Sequence, residues 1–147
     1  MSGLTDIPIR LEIGEPSNTE PSGLIHALAQ EIIDALASHA QRADNHLIDL
    51  RGLPLGQHDL DALQALLGIG EVRATLDISG PSEIWETAYA GVWWVRHRAR
   101  EDNVIAEYLE VGAIPSILRS HPDDMRDAAV RLAAQLNEAN LSVTTRS

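Results

Sequence analysis

The spacing of apolar residues changes several times along the chain, and each change marks a predicted element. Strict alternation with polar residues over 7–13 predicts a strand with one buried face, and a loop follows at 18–23. The loop makes this strand a candidate for a loosely attached arm. Alternation, or a run of residues that favour β structure, predicts further strands at 47–50, 72–78, 83–90, 92–98 and 103–111.

Apolar residues recur every three or four positions in three other segments, and this spacing predicts amphipathic helices. The first runs from about residue 24 to 39 with Ser22 as its cap, and the second from about 57 to 67 with Gly68 as its stop. The third covers 122–137 and has acidic residues in its first turn, near the positive end of the helix dipole. Its apolar stripe consists of Met125, Ala128, Ala129, Leu132, Ala133 and Leu136.

Short turns join the strand segments between residues 71 and 111, which favours an antiparallel meander. We therefore predict an α+β fold, in which a mostly antiparallel β-meander sheet is packed on one face by about three α-helices. The predicted organisation is an N-terminal strand, or arm, with its loop (1–22), a single α+β domain (23–140) and a C-terminal tail (141–147).

The composition narrows the classes of function. The 147 residues carry a formal net charge of −11 and include no Cys and no Lys, which excludes disulfides, Cys-ligated metal centres and lysine Schiff bases. Nucleic acids and anionic membranes require a basic face, so neither is an expected partner of this acidic chain. The chain starts without a signal-peptide pattern and its apolar runs are too short to span a bilayer, so we expect no membrane insertion and a cytoplasmic location.

Motifs for catalysis or cofactor binding do not stand out. The six histidines are never three or four residues apart, so no helix face presents two imidazoles to a metal ion. Gly68 and Gly70 form a Gly-x-Gly that follows a helix and precedes a strand, the reverse of the order in a dinucleotide site. We therefore expect no enzyme activity, no metal and no other cofactor. A small hydrolase or ligand-binding domain that uses scattered His and Glu residues is the alternative.

The aromatic residues are the most informative feature, because all five lie between positions 85 and 108. Trp93 and Trp94 are adjacent in one strand, so their side chains point to opposite faces of the sheet. With helices on only one face, at least one of these two indoles must face outward. It then either packs under a loop or beside arginines, or it belongs to a protein-binding face, since exposed Trp, Tyr and Arg are typical interface anchors.

Alternation also predicts which indole is exposed. Trp94 shares its strand face with Arg96 and Arg98. Because desolvating unpaired guanidinium groups is costly, we expect this face to point away from the helices. Trp93 should then point towards the helices. The hypothesis is a protein-binding surface formed by Trp94, Arg96 and Arg98 together with Trp85 and Tyr89.

Four segments resemble motifs of the HupH/HyaF-type hydrogenase expression proteins. Residues 47–55 (LIDLRGLPL) resemble the family motif that leads into a helix. Residues 66–72 (LLGIGEV) resemble a family turn motif. Longer members often have a polar residue at the position of Ile69 in this turn. Glu86 together with residues 91–95 (GVWWV) resembles the family's strand motif. Residues 109–115 (LEVGAIP) resemble the motif that closes the region. The matching positions are Asp49, Arg51, Pro54, Gly68, Gly70, Glu71, Val72, Glu86, Gly91, Trp93, Glu110 and Pro115.

The resemblance covers about residues 47–118. At this length, the chain resembles the short, single-domain HupJ/HoxT-like form of the family. It implies a non-catalytic accessory protein in the maturation of uptake nickel–iron hydrogenases. The implied client is the precursor of the iron–sulfur small subunit before its export, and other hydrogenase maturation proteins are further implied partners. The family supplies no active-site residue, and the sequence leaves the oligomeric state open.

Overall fold

The computed structural model describes residues 22–146, so the predicted strand at 7–13 lies outside the described residues. The described residues belong to two compact units, which divide between Pro115 and Ser116. The described elements of the first unit are α1 (Gly23–Arg42), β1 (His46–Asp49), α2 (Gln57–Leu67), β2 (Arg73–Asp77), β3 (Pro81–Glu86), β4 (Val92–Arg98) and β5 (Val104–Val111). Those of the second unit are a short 3₁₀ helix (Ser116–Leu118) and α3 (Pro122–Arg146).

The five strands form one open sheet in the order β1-β5-β4-β3-β2, and every neighbouring pair is antiparallel. Strands β2 to β5 follow one another as a meander, and β1 joins beyond β5. This arrangement confirms the predicted α+β class and the predicted meander between residues 71 and 111. The register places Trp94 beside Trp85 on β3 and beside Leu109 on β5.

Capping residues explain where α1 and α2 start and where α2 ends. The hydroxyl of Ser22 accepts a hydrogen bond from the backbone N–H of Ile25 at 3.2 Å, as the sequence predicts. The carboxylate of Asp59 accepts the backbone N–H of Gly56 at 3.1 Å at the start of α2. Gly68 ends α2 with φ at +68°, a conformation that favours glycine.

The core lies between these two helices and one side of the sheet. Each helix contributes apolar residues at helical spacing, and the sheet contributes the residues of β1, β4 and β5 that share one face. The buried members are Ile25, Leu28, Ile32, Ile48, Leu50, Leu63, Leu67, Val92, Trp94, Leu109 and Val111.

The predicted orientation of β4 is wrong. Trp94 is 0% exposed and belongs to the core cluster with the residues of α1 and α2, so its face points towards the helices and not away from them. Trp93 lies on the opposite side of the sheet and is also buried, and its indole N–H donates to the carbonyl of Gly112 at 3.0 Å. The expectation that one of the two indoles is exposed is therefore wrong as well.

Two glutamates across the strands explain the reversal. The register sets Arg96 opposite Glu83 on β3 and opposite Glu107 on β5. Nε of Arg96 donates to Oε2 of Glu107 at 2.8 Å, and Nε of Arg98 donates to Oε1 of Glu83 at 3.2 Å. The guanidinium groups are thus paired, which removes the desolvation cost that the prediction assigned to this face.

The same carboxylate also holds the tryptophan. Oε2 of Glu107 accepts the indole N–H of Trp94 at 2.7 Å. The ring of Trp94 stacks on that of Trp85 with centroids 5.7 Å apart and planes 8° from parallel, and the guanidinium carbon of Arg96 lies 5.1 Å from the Trp85 ring centroid. Stacking, a charge-assisted hydrogen bond and a cation–π contact therefore join β3, β4 and β5 into one cluster.

Helix α3 begins after His121, whose Nδ1 accepts the backbone N–H of Asp123 at 3.1 Å. Its apolar stripe, which we expected to pack on the sheet, is exposed at Met125, Leu132 and Leu136. Among residues 22–146, none of the helices combines the length and the hydropathy of a transmembrane segment.

The burial of Trp94 predicts a large effect on stability. We expect Trp94→Ala to lower the free energy of unfolding by about 3–5 kcal/mol, because it removes a buried ring and one of the two side-chain donors to the buried carboxylate of Glu107. The matched control is Tyr89→Ala, whose side chain is 52% exposed and which we expect to change stability by no more than about 0.5 kcal/mol. Urea unfolding followed by tryptophan fluorescence measures both, and equal stabilities would contradict the placement of Trp94 in the core.

Tyr108 lies on the face of the sheet opposite Trp94, and its ring is 5.8 Å from that of His97. Its titration tests the burial of side chains on that face. Burial raises the pKa of the Tyr108 phenol above 10.0, and the nearby carboxylate of Glu110 adds to the rise. The neutral phenol is therefore favoured by folding, so its contribution to stability is present below pH 10 and is lost as the pH rises through the higher pKa of the folded state. In a Tyr89→Phe variant, absorbance at alkaline pH should titrate later in the folded chain than in urea; coincident titrations would contradict the burial.

Candidate functional site

The turn between α2 and β2 lies flat against the end of β3. The N–H of Gly70 donates to the carbonyl of Glu86 at 2.7 Å, and a Cβ at Gly70 would lie 2.4 Å from the carbonyl oxygen of Thr87. Only glycine permits this approach. Between Gly68 and Gly70, the side chain of Ile69 is left 61% exposed.

Ile69 borders an open surface pocket of about 470 Å³ that also contains the indole of Trp85. The stacking on Trp94 and the contact with Arg96 hold that indole in place, so the pocket wall is rigid. The pocket, hereafter the Ile69–Trp85 pocket, is lined by Asp61, Gln64, Ala65, Gly68, Ile69 and Trp85. The pocket thus offers an apolar surface, from Ile69 and Trp85, beside the polar groups of Asp61 and Gln64. Such a surface suits an apolar side chain of a partner that carries a hydrogen-bond donor next to it.

The loop after β3 presents a second aromatic residue close to this turn. The N–H of Ala88 donates to the carbonyl of Leu67 at 2.9 Å, and the hydroxyl of Thr87 accepts the N–H of Tyr89 at 3.2 Å. These bonds fix the loop while the ring of Tyr89 stays exposed. Leu66, on the last turn of α2, is exposed as well.

The structure divides the five predicted protein-binding residues into two groups. Trp85 and Tyr89 are accessible to a partner, whereas Trp94 is buried and Arg96 and Arg98 are committed to Glu83 and Glu107. Sequence reasoning missed Ile69 as a candidate. The available signal was an isoleucine between two turn glycines, where an apolar residue has little chance of burial.

Most of the family-motif positions have a structural role that the geometry explains. The carboxylate of Asp49 accepts the N–H of Arg51 at 3.0 Å, and that of Glu86 accepts the N–H of Gly91, which has φ at +86°, at 3.1 Å. Glu110 accepts a hydrogen bond from the amide of Asn45 at 2.6 Å. Pro115 is fully buried, and the motif positions Arg51, Pro54, Glu71 and Val72 are exposed.

The His and Glu residues of the alternative prediction lie in several separate parts of the described structure. The described residues contain no group of three or more His, Asp or Glu placed to hold a metal ion. A cavity of about 520 Å³ runs along α1 and contains a His46–Glu31 contact of 3.1 Å. Ser82 and His97 share a hydrogen bond of 2.7 Å between Oγ and Nδ1. Their hydrogen bond lies on the side of the sheet opposite Trp94, away from both pockets.

Comparison with known proteins points to one family. The model of the HupH hydrogenase expression protein C-terminal conserved region matches residues 25–139. The chain is 30% identical over 144 residues to the hydrogenase expression/formation protein HupQ of Azotobacter chroococcum, covering 88% of this chain and 50% of that protein. It is 32% identical over 110 residues to HoxQ of Azotobacter vinelandii, covering 75% and 38%.

A solved structure agrees with this assignment. The hydrogenase expression protein HupH from Thiobacillus denitrificans is 39% identical, with a TM-score of 0.72 over 81% of this chain and 98% of that one. The chain spans half or less of the length of the curated relatives that it matches. Because the family model covers most of the chain, the chain belongs to the HupH family of hydrogenase expression proteins.

Proposed function

We propose that this chain is a non-catalytic accessory protein of nickel–iron hydrogenase maturation, and that it acts as a chaperone in the cytoplasm. Its client in this proposal is the precursor of the iron–sulfur small subunit before export. The names of the relatives, hydrogenase expression and formation proteins, support an accessory role. Other maturation proteins are further candidate partners.

The observation that carries the proposal is the exposed Ile69 beside the fixed indole of Trp85. An apolar residue held outward by two glycines costs solvation free energy unless a partner covers it. The indole needs no reordering on binding, because Trp94 and Arg96 already hold it. Pre-organised aromatic residues of this kind are typical anchors of protein interfaces.

The acidic surface supports a protein client with basic or neutral character. The chain carries a net charge of −11, and Asp61 lies in the wall of the pocket. Opposite charge on a client would raise the association rate, whereas the apolar contact at Ile69 would set the lifetime of the complex.

We expect Ile69→Asp to weaken binding of the purified small-subunit precursor by about 2 kcal/mol, or roughly thirtyfold in Kd, because a carboxylate replaces an apolar anchor. The matched control is Ile105→Asp in β5, since that isoleucine is exposed to the same 61% and is outside the pocket. Isothermal titration calorimetry with the wild-type chain and both variants measures the difference.

The proposal about the site fails if Ile69→Asp and Ile105→Asp bind the precursor equally well. The proposal about the client fails if the wild-type chain does not bind the precursor at all. Melting temperatures of the free variants separate either outcome from a loss of folding.

A further inference from the structure

Strand β2 forms one edge of the sheet, and one hydrogen bond defines which of its backbone groups are free. The N–H of Glu86 donates to the carbonyl of Val72 at 2.9 Å. In an antiparallel pair, bonded and non-bonded positions alternate, so Val72, Ala74 and Leu76 direct their N–H and C=O groups towards β3. The backbone groups of Arg73, Thr75 and Asp77 therefore point away from the sheet.

Nothing in the described part of the chain pairs with this edge. Strand β2 is bonded to β3 on its inner side, and it is the last strand in the sheet order. The side chains of Arg73, Thr75 and Asp77 are exposed along it. Three N–H and three C=O groups in a row are a template for another strand.

The sequence of β2 is complementary to itself when reversed. If two copies pair antiparallel about a two-fold axis through Thr75, Arg73 of each copy lies opposite Asp77 of the other copy. This is the only register in which all three outward-pointing residues of one copy meet all three of the second. Every free backbone donor then faces a free acceptor, and the two cross-strand ion pairs lie on one face.

The other face of this register is complementary as well. Ala74 of one copy lies opposite Leu76 of the other, and both side chains are half-buried in the single chain. Just beyond the strand ends, the exposed Val72 lies opposite the exposed Ile78. Apolar residues thus meet apolar residues, and opposite charges meet opposite charges.

We propose that this chain forms a two-fold dimer through β2, with the two five-stranded sheets joined into one sheet of ten strands. We take the occupant of the edge to be a second copy, because the reversed β2 sequence satisfies both the charge contacts and the apolar contacts of this register. A two-fold interface requires this self-complementarity.

The opposite edge of the sheet lacks these properties. The N–H of Leu50 donates to the carbonyl of Glu107, so alternation leaves only Leu47 and Asp49 of β1 pointing outward. Antiparallel self-pairing of β1 sets Asp49 opposite either Leu47 or Asp49 of the second copy. Neither arrangement provides an opposite charge.

Sedimentation velocity of the full chain across a range of micromolar concentrations tests the proposal. We expect the wild-type chain to sediment as a dimer. Arg73→Asp and Asp77→Arg should each weaken dimerisation on the order of tenfold or more, because each turns two ion pairs into two repulsive pairs. The double variant Arg73→Asp/Asp77→Arg should restore the dimer, since it exchanges the charges and keeps their pairing.

The control is Arg100→Asp, which makes the same charge change at an exposed position in the turn between β4 and β5 and should leave the dimer intact. A wild-type chain that remains a monomer overturns the proposal, even if it binds a different protein. A dimer that resists both single substitutions, or that the double variant fails to restore, also overturns it. Melting temperatures confirm that each variant is folded, and small-subunit binding is measured separately so that the two proposals can fail independently.

Discussion

In the middle of the sheet, the carboxylate of Glu107 is almost fully buried and accepts hydrogen bonds from an indole and a guanidinium. A buried carboxylate without partners would be strongly unfavourable, and removing one partner of a buried charge pair typically costs about 3–5 kcal/mol. Trp94 and Arg96 must therefore lie on the same face of the sheet as Glu107, and this is the face that α1 and α2 cover. The orientation of β4, and through it the placement of the two indoles, depends on this one group.

The same cluster extends to the surface and shapes the candidate site. Trp94 stacks on Trp85, and Arg96 lies over the Trp85 ring, so the indole that lines the Ile69–Trp85 pocket is supported from inside the sheet. The turn glycines supply the other wall by letting the backbone approach β3 closely. A rigid aromatic wall and an exposed isoleucine thus arise from the packing that stabilises the fold.

The periodic features of the fold could be predicted from the sequence. Period-two segments gave the meander, and the cap at Ser22 and the stop at Gly68 gave helix ends, because each depends on residues close together in the chain. Which face of β4 points towards the helices could not be predicted, since it depends on Glu83 and Glu107 lying opposite Arg96 in the register. For the site, Trp85 and Tyr89 were found from aromatic clustering. Ile69 was missed because its exposure follows from a tertiary contact of Gly70.

Amide hydrogen exchange of the chain, alone and with the small-subunit precursor, tests the central claim that the client binds at the turn beside Trp85. Slower exchange in the complex, concentrated in residues 68–72 and 85–89, is the result we predict, because these segments form the turn and the loop that meet at the pocket. Slower exchange confined to α1 and the 43–45 loop, with 68–72 unchanged, would contradict the account and place the client at the cavity along α1.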